Sequence, residues 1–104
     1  MTANDLELAK RVHYAFLPKA YRDEHVDIAV RAEPLLDLGG DYCGIVELPE
    51  DRVAMTMCDA TGHDVASALF ASRINTFVLS RLARVDYPCI LIAKLNQFLA
   101  ERVQ

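Results

Sequence analysis

Two eight-residue stretches, Asp41 to Leu48 and Arg52 to Asp59, flank the turn Pro49-Glu50-Asp51 and read as the arms of a β-hairpin. A turn centred on Glu50 pairs residues whose numbers sum to 100. Asp41 then faces Asp59, Cys43 faces Met57 and Ile45 faces Met55, while Tyr42 pairs with Cys58 and Val46 with Ala54 on the other side. Both faces are largely apolar, and a one-residue slip would interchange them, so the pattern supports this register. Gly44 lies inside the first arm, where glycine often marks a bulge.

The rest of the chain is arranged around this hairpin. Leu8, Val12, Ala15 and Phe16 recur at helical spacing between Leu6 and Leu17, and Pro18 ends that helix. The stripe needs cover, from another helix of this chain or from a second copy. A polar connector from Lys19 to Glu24 leads to His25–Ala32. There Val26, Ile28, Val30 and Ala32 alternate with His25, Asp27 and Arg31 as in a half-buried strand closed by Pro34. This strand is expected to join the hairpin in a three-stranded antiparallel sheet. From Asp64 to Ala83 helical spacing returns, with Ala66, Leu69, Phe70, Ile74, Phe77 and Val78 on one side. Asp86 and Pro88 read as an N-cap region and a first-turn proline. A last helix then presents Leu91, Ile92, Leu95, Phe98, Leu99 and Val103. The order α-β-β-β-α-α defines an α+β fold with too few strands to close its sheet.

A chain of 104 residues holds one small domain or part of a larger one. At 53% hydrophobic and 25% charged it is globular. Its net charge of −4 and lack of a basic stripe exclude a dedicated nucleic-acid binder. No apolar run is long enough for a membrane span, and Thr2-Ala3-Asn4-Asp5 is no signal peptide, so a cytoplasmic protein is expected. Cys43, Cys58 and Cys89 match no zinc or redox spacing and read as buried free thiols. His13, His25 and His63 are too scattered to suggest a zinc site. Arg73, Arg81 and Arg84 read as a solvated helix face rather than a phosphate clamp.

The chemistry concentrates at the open end of the hairpin. Directly opposed residues have Cβ atoms about 5 Å apart, and two aspartates so placed repel unless a cation or proton lies between them. Hard oxygen donors favour Mg²⁺ or Mn²⁺ over zinc. Gly39-Gly40 permits close backbone approach before Asp41. After Asp59, Thr61-Gly62-His63-Asp64 turns the chain into a helix whose free N–H groups would favour a phosphate beside the cations. The plainer alternative is a turn aspartate after two glycines and a capping aspartate before a helix.

Gly39-Gly40-Asp41-Tyr42, Leu48-Pro49 and Asp59-Ala60-Thr61-Gly62-His63 followed by Ala66 to Arg73 resemble the bacterial serine phosphatases of the PPM superfamily. The branch is the one named after the stage II sporulation protein E, which includes stress-response phosphatases acting on sigma-factor regulators. Phe16-Leu17-Pro18 is similar to the segment that opens those domains. The resemblance implies the N-terminal part of an α-β-β-α sandwich, with residues 1–18 as a leading linker and dimerisation helix and 19–104 as half of the phosphatase domain. It implies two Mn²⁺ or Mg²⁺ ions and a water that attacks phosphoserine directly. Asp41 would ligate one ion, Asp59 would bridge both and the Ala60 carbonyl would complete part of the shell. The implied substrate is a phosphorylated protein like the antagonists of anti-sigma factors.

Cys43 and Gly44 stand where aromatic and acidic residues are usual in that family, and Asp64 where many relatives have glycine. The family's later aspartates have no counterpart here, so the chain alone is expected to be inactive. The competing expectation is an interaction module that keeps part of the fold without chemistry.

Overall fold

The computed structural model describes residues 2–33, 38–62 and 64–102. Its elements are α1 (Ala3–Ala15), β1 (Tyr21–Arg22), β2 (Asp27–Ile28), β3 (Asp41–Leu48), β4 (Arg52–Asp59), α2 (Val65–Arg81) and α3 (Pro88–Arg102). A single 3₁₀ turn, Leu82–Arg84, follows α2. The expected α+β class is therefore found. Pro34, His63 and Val103 lie outside the described residues.

α1 starts three residues before the apolar periodicity because Thr2 and Asp5 cap it reciprocally. The Asp5 N–H donates to Thr2 Oγ1 and the Thr2 N–H to Asp5 Oδ2, each at 3.1 Å. The helix ends at Ala15, two residues before the expected Leu17, with the Phe16 and Leu17 N–H groups closing on the His13 and Tyr14 carbonyls. Pro18 follows and cannot extend it.

The strand expected over His25–Ala32 shrinks to Asp27–Ile28, which pairs only with Tyr21–Arg22. Among the described residues the sheets are two separate hairpins, and the three-stranded sheet does not form. Alternation marks a segment able to pair on one face, but it does not supply a neighbour. Local chemistry takes over here. Asp23 Oδ1 accepts from the His25 and Val26 N–H groups at 2.7 and 2.8 Å, tightening the turn. The Tyr21 hydroxyl, 2.9 Å from Glu47 Oε1, ties this small hairpin to β3.

β3 and β4 pair antiparallel in the register read from the sequence, from Asp41 opposite Asp59 to Leu48 opposite Arg52. The ladder runs through Gly44 opposite Thr56 without the expected bulge. Gly44 serves close approach instead. A Cβ there would lie 2.7 Å from both Leu79 Cδ2 and Thr56 Oγ1. The turn places Glu50 and Asp51 at φ 66° and 57°, in the left-handed region. Glutamate gains nothing there, unlike aspartate or asparagine. Glu50→Gly is expected to raise stability by about 0.5–1 kcal/mol, read as a higher urea midpoint at unchanged m-value. A lower midpoint would show that the Glu50 side chain contributes more than its backbone strain removes.

α2 lies on the even-numbered face of this hairpin. Tyr42, Ala60 and Ala71 form the core cluster there, joined by Leu17 and Cys58, with Ala71 at 0% exposure. The buried face of α2 is Ser67, Ala68, Ala71, Asn75 and Phe77, not the stripe of large residues that periodicity suggested. Ala66, Leu69 and Phe70 are exposed, and Ile74 and Val78 only half-buried. Ala71 packs against Tyr42 and Ala60 in the core cluster, while Leu79 fills the space that Gly44 leaves open.

α3 starts at Pro88 as expected, and the residue preceding it is Tyr87 rather than Asp86. It docks on α2 by stacking Phe98 on Phe77, centroids 4.5 Å apart, while the Arg81 guanidinium covers the Phe77 ring at 3.7 Å. Arg81 is thereby a packing residue. Leu91 is buried, whereas Ile92 is exposed.

Among the described residues no helix covers Met55 and Met57 on the odd-numbered face of the hairpin. Met57 is 89% exposed and Met55 67%. The described residues thus form two layers, helices on one side of a hairpin. Cys43 and Cys58 are half-buried and Cys89 is exposed, so the expectation of three buried thiols fails at Cys89. Among the described residues, no helix is long and apolar enough to cross a membrane.

Candidate functional site

Asp41 and Asp59 end their strands side by side and exposed, directly opposed in the ladder. The ladder continues one step further, where the Ala60 N–H donates to the Gly40 carbonyl at 2.9 Å. Gly40 is obligatory for that approach. A Cβ on it would lie 2.7 Å from the Ala60 oxygen and 3.2 Å from the Gly62 oxygen. Both are backbone atoms, which cannot swing aside. The expected close backbone approach before Asp41 is therefore present, and it holds the buried Ala60 against the start of β3.

The electrostatics follow from the juxtaposition. Desolvation, a hydrogen bond with Asp59 and repulsion from its charge hold the Asp41 carboxyl above the usual carboxylate range. The Cys58 thiol is pushed up by burial and then by both aspartates, and Cys43 by burial, so neither is an activated nucleophile.

The donor set suits Mg²⁺ or Mn²⁺ in kind, being two carboxylates and a backbone carbonyl. It is short in number. Among the described residues no group of three or more His, Cys, Asp and Glu side chains can hold a metal ion. The N-terminus of α2 also differs from expectation. Asp64 is its N-cap, with Oδ1 accepting from the Ser67 N–H at 2.8 Å, and the Ser67 hydroxyl lies 2.8 Å from the Thr61 carbonyl. A carboxylate of the chain itself thus satisfies part of the helix end that a phosphate would have used.

Sequence reading missed His13. Periodicity placed the buried stripe of α1 on Leu8, Val12, Ala15 and Phe16, yet Leu8 is 61% and Phe16 67% exposed. The residue that α1 buries is His13. Its ring meets Tyr42 at 4.6 Å between centroids, and it lines with Asp41 and Asp59 a cleft of about 350 Å³ that also takes in Arg31. The signal was present in the spacing of Leu6, Ala9, His13 and Leu17, which an apolar count discounts because of the imidazole.

Burial holds the His13 imidazole below its ordinary value of 6.5, against the opposing pull of Asp41. A depressed folded value means that the unfolded chain takes up the proton first. The stability present above pH 6.5 is then lost as pH falls through that value toward the folded one. Thermal scans are expected to show the melting temperature falling between about pH 7 and 5.5, and falling less in His13→Phe. Parallel curves for the two proteins would assign the acid loss to other groups.

Comparison with known proteins gives the arrangement a context. The chain is similar along nearly its whole length to a phosphatase. That relative is the phosphoserine phosphatase RsbP of Bacillus subtilis (strain 168), 24% identical over 98 residues. The match covers 94% of this chain and 24% of RsbP, so the chain spans about a quarter of the relative's length. No protein-family model and no solved structure matches the chain.

Proposed function

We propose that this chain carries the N-terminal half of a metal-dependent serine/threonine phosphatase domain of the PPM type, over residues 19–104. Asp41 and Asp59 are its first metal carboxylates, assisted by the Ala60 carbonyl. The observation that carries the reading is the pair of facing carboxylates, whose mutual repulsion a divalent cation relieves. The similarity to a phosphoserine phosphatase supports the same chemistry. When bound, two Mn²⁺ or Mg²⁺ ions supply a water acidic enough to attack phosphorus at neutral pH. The chain's own part is to hold the carboxylates apart at fixed register and to place Gly40 and Ala60 beneath them. The substrate class is a phosphoserine protein of the kind that antagonises anti-sigma factors, in the cytoplasm.

The test is direct. The 104-residue chain is expected to bind Mn²⁺ with a dissociation constant of about a millimolar, since most of the six oxygen positions fall to water, and to hydrolyse no phosphoserine protein. The same strands, carried in a chain that supplies the remaining carboxylates, are expected to hydrolyse it only with Mn²⁺ or Mg²⁺. Metal-independent hydrolysis would sink the reading.

Residues 1–18 form the linker of this reading, and its partner is a second copy. Leu8, Val12 and Phe16 lie exposed along α1 and would be covered in a homodimer. Light scattering is expected to give a dimer mass for the wild type and a monomer mass for Val12→Asp. A monomer in both removes the dimer. The bare apolar residues Met55 and Met57 favour a second reading, an interaction module without chemistry. Failure of Mn²⁺ to bind at Asp41 and Asp59 would select it.

A further inference from the structure

The contact between α1 and the hairpin is narrow, and it falls beside the acidic pair. His13 is 6% exposed and is the buried residue of a helix whose large apolar side chains face water. Its ring crosses the Tyr42 ring at 62° and the Tyr14 ring at 90°. Nδ1 is buried without a hydrogen-bond partner among the described residues. Among the described residues no hydrogen bond pins Nδ1, so ring packing and the charge of nearby Asp41 seat the imidazole.

Tyr42 sits at the centre of this arrangement. It is buried in the core cluster with Ala60 and Ala71, and its hydroxyl lies near Ser72 of α2. Its peptide neighbour on β3 is Asp41, and its ladder partner on β4 is Cys58, the residue before Asp59. A displacement of the Tyr42 ring therefore acts on both strand ends at once. Packed interiors transmit such shifts because they have no slack to absorb them.

We propose that His13 is a positioning residue for the acidic pair: its ring, wedged on Tyr42, sets where β3 holds Asp41 against Asp59 and so the geometry of the metal site. The metal part of this inference rests on the proposed function, whereas the effect on the two strand ends does not.

Amide resonances of the full 104-residue chain test this, first without metal and then during a Mn²⁺ titration read by paramagnetic broadening. His13→Ala is expected to shift the Asp41 and Asp59 amides and to raise the half-broadening Mn²⁺ concentration about tenfold, the lower end of what losing a supporting residue costs a metal site. His13→Phe restores both, because it returns the ring without the nitrogen. Arg11→Ala, exposed on the same helix, changes neither. Where His13→Ala loses helical circular dichroism, His13→Leu, which keeps bulk but not the ring, is read by the same two measurements with the same expectation. Unmoved Asp41 and Asp59 amides in the folded variant overturn the proposal, as does failure of His13→Phe to restore them. Absence of Mn²⁺ broadening in the wild type would instead strike the metal reading, leaving the metal-free shifts to decide the role of His13.

Discussion

Phe77→Ala is expected to destabilise the chain by about 3–4 kcal/mol, which is within the range for truncating a buried phenylalanine. Three contributions converge on that ring. It is buried, it stacks on Phe98 with centroids 4.5 Å apart, and the Arg81 guanidinium covers it at 3.7 Å. The stack and the cation–π contact each add about 0.5–1.5 kcal/mol to the burial of area. The chain has little reserve to absorb the loss. Among the described residues its buried hydrophobic set is Leu38, Tyr42, Ala60, Ala68, Ala71, Phe77, Leu82 and Leu91, and no large side chain is fully enclosed. A core of this kind leaves a small domain only marginally stable. Urea denaturation followed at 222 nm is expected to show a variant largely unfolded before denaturant is added, with Phe77→Leu intermediate. An unchanged midpoint for Phe77→Ala would mean that α3 is not held through this stack.

Asp59→Asn is expected to move stability and metal binding in opposite directions. Like charges directly opposed across a ladder are destabilising by a few tenths of a kcal/mol to about 1 kcal/mol, so neutralising one stabilises the metal-free hairpin by about that much. The same change removes an anionic oxygen of the proposed metal site, and Mn²⁺ affinity is expected to fall more than about tenfold. Hydrolysis by a chain that supplies the remaining carboxylates should fall to background. A fall in stability together with intact Mn²⁺ binding would identify Asp59 as a structural cap. The opposed signs separate a carboxylate held for a cation from one held for the fold.

The hairpin was legible from its residues because register is a local property. Alternation with a period of two, a turn at a fixed place and two faces that a slip would exchange leave one pairing, and that pairing set Asp41 opposite Asp59. The helices were legible for a similar reason, since Pro18, Asp64 and Pro88 mark their ends by backbone chemistry that acts within a few residues.

What the tertiary structure alone decided was which surface each element turns inward. α2 buries Ala71 against Tyr42 and Ala60 and turns Leu69 and Phe70 outward, while Leu79 fills the space over Gly44. α1 buries His13 instead of Val12 because Tyr42 offers an aromatic surface at that point. The strand expected at His25–Ala32 stayed short because pairing needs a neighbouring edge, which periodicity does not supply. Hydrophobic burial has no direction of its own. A stripe of apolar residues states that a surface can be covered, and only the arrangement of the other elements determines whether it is.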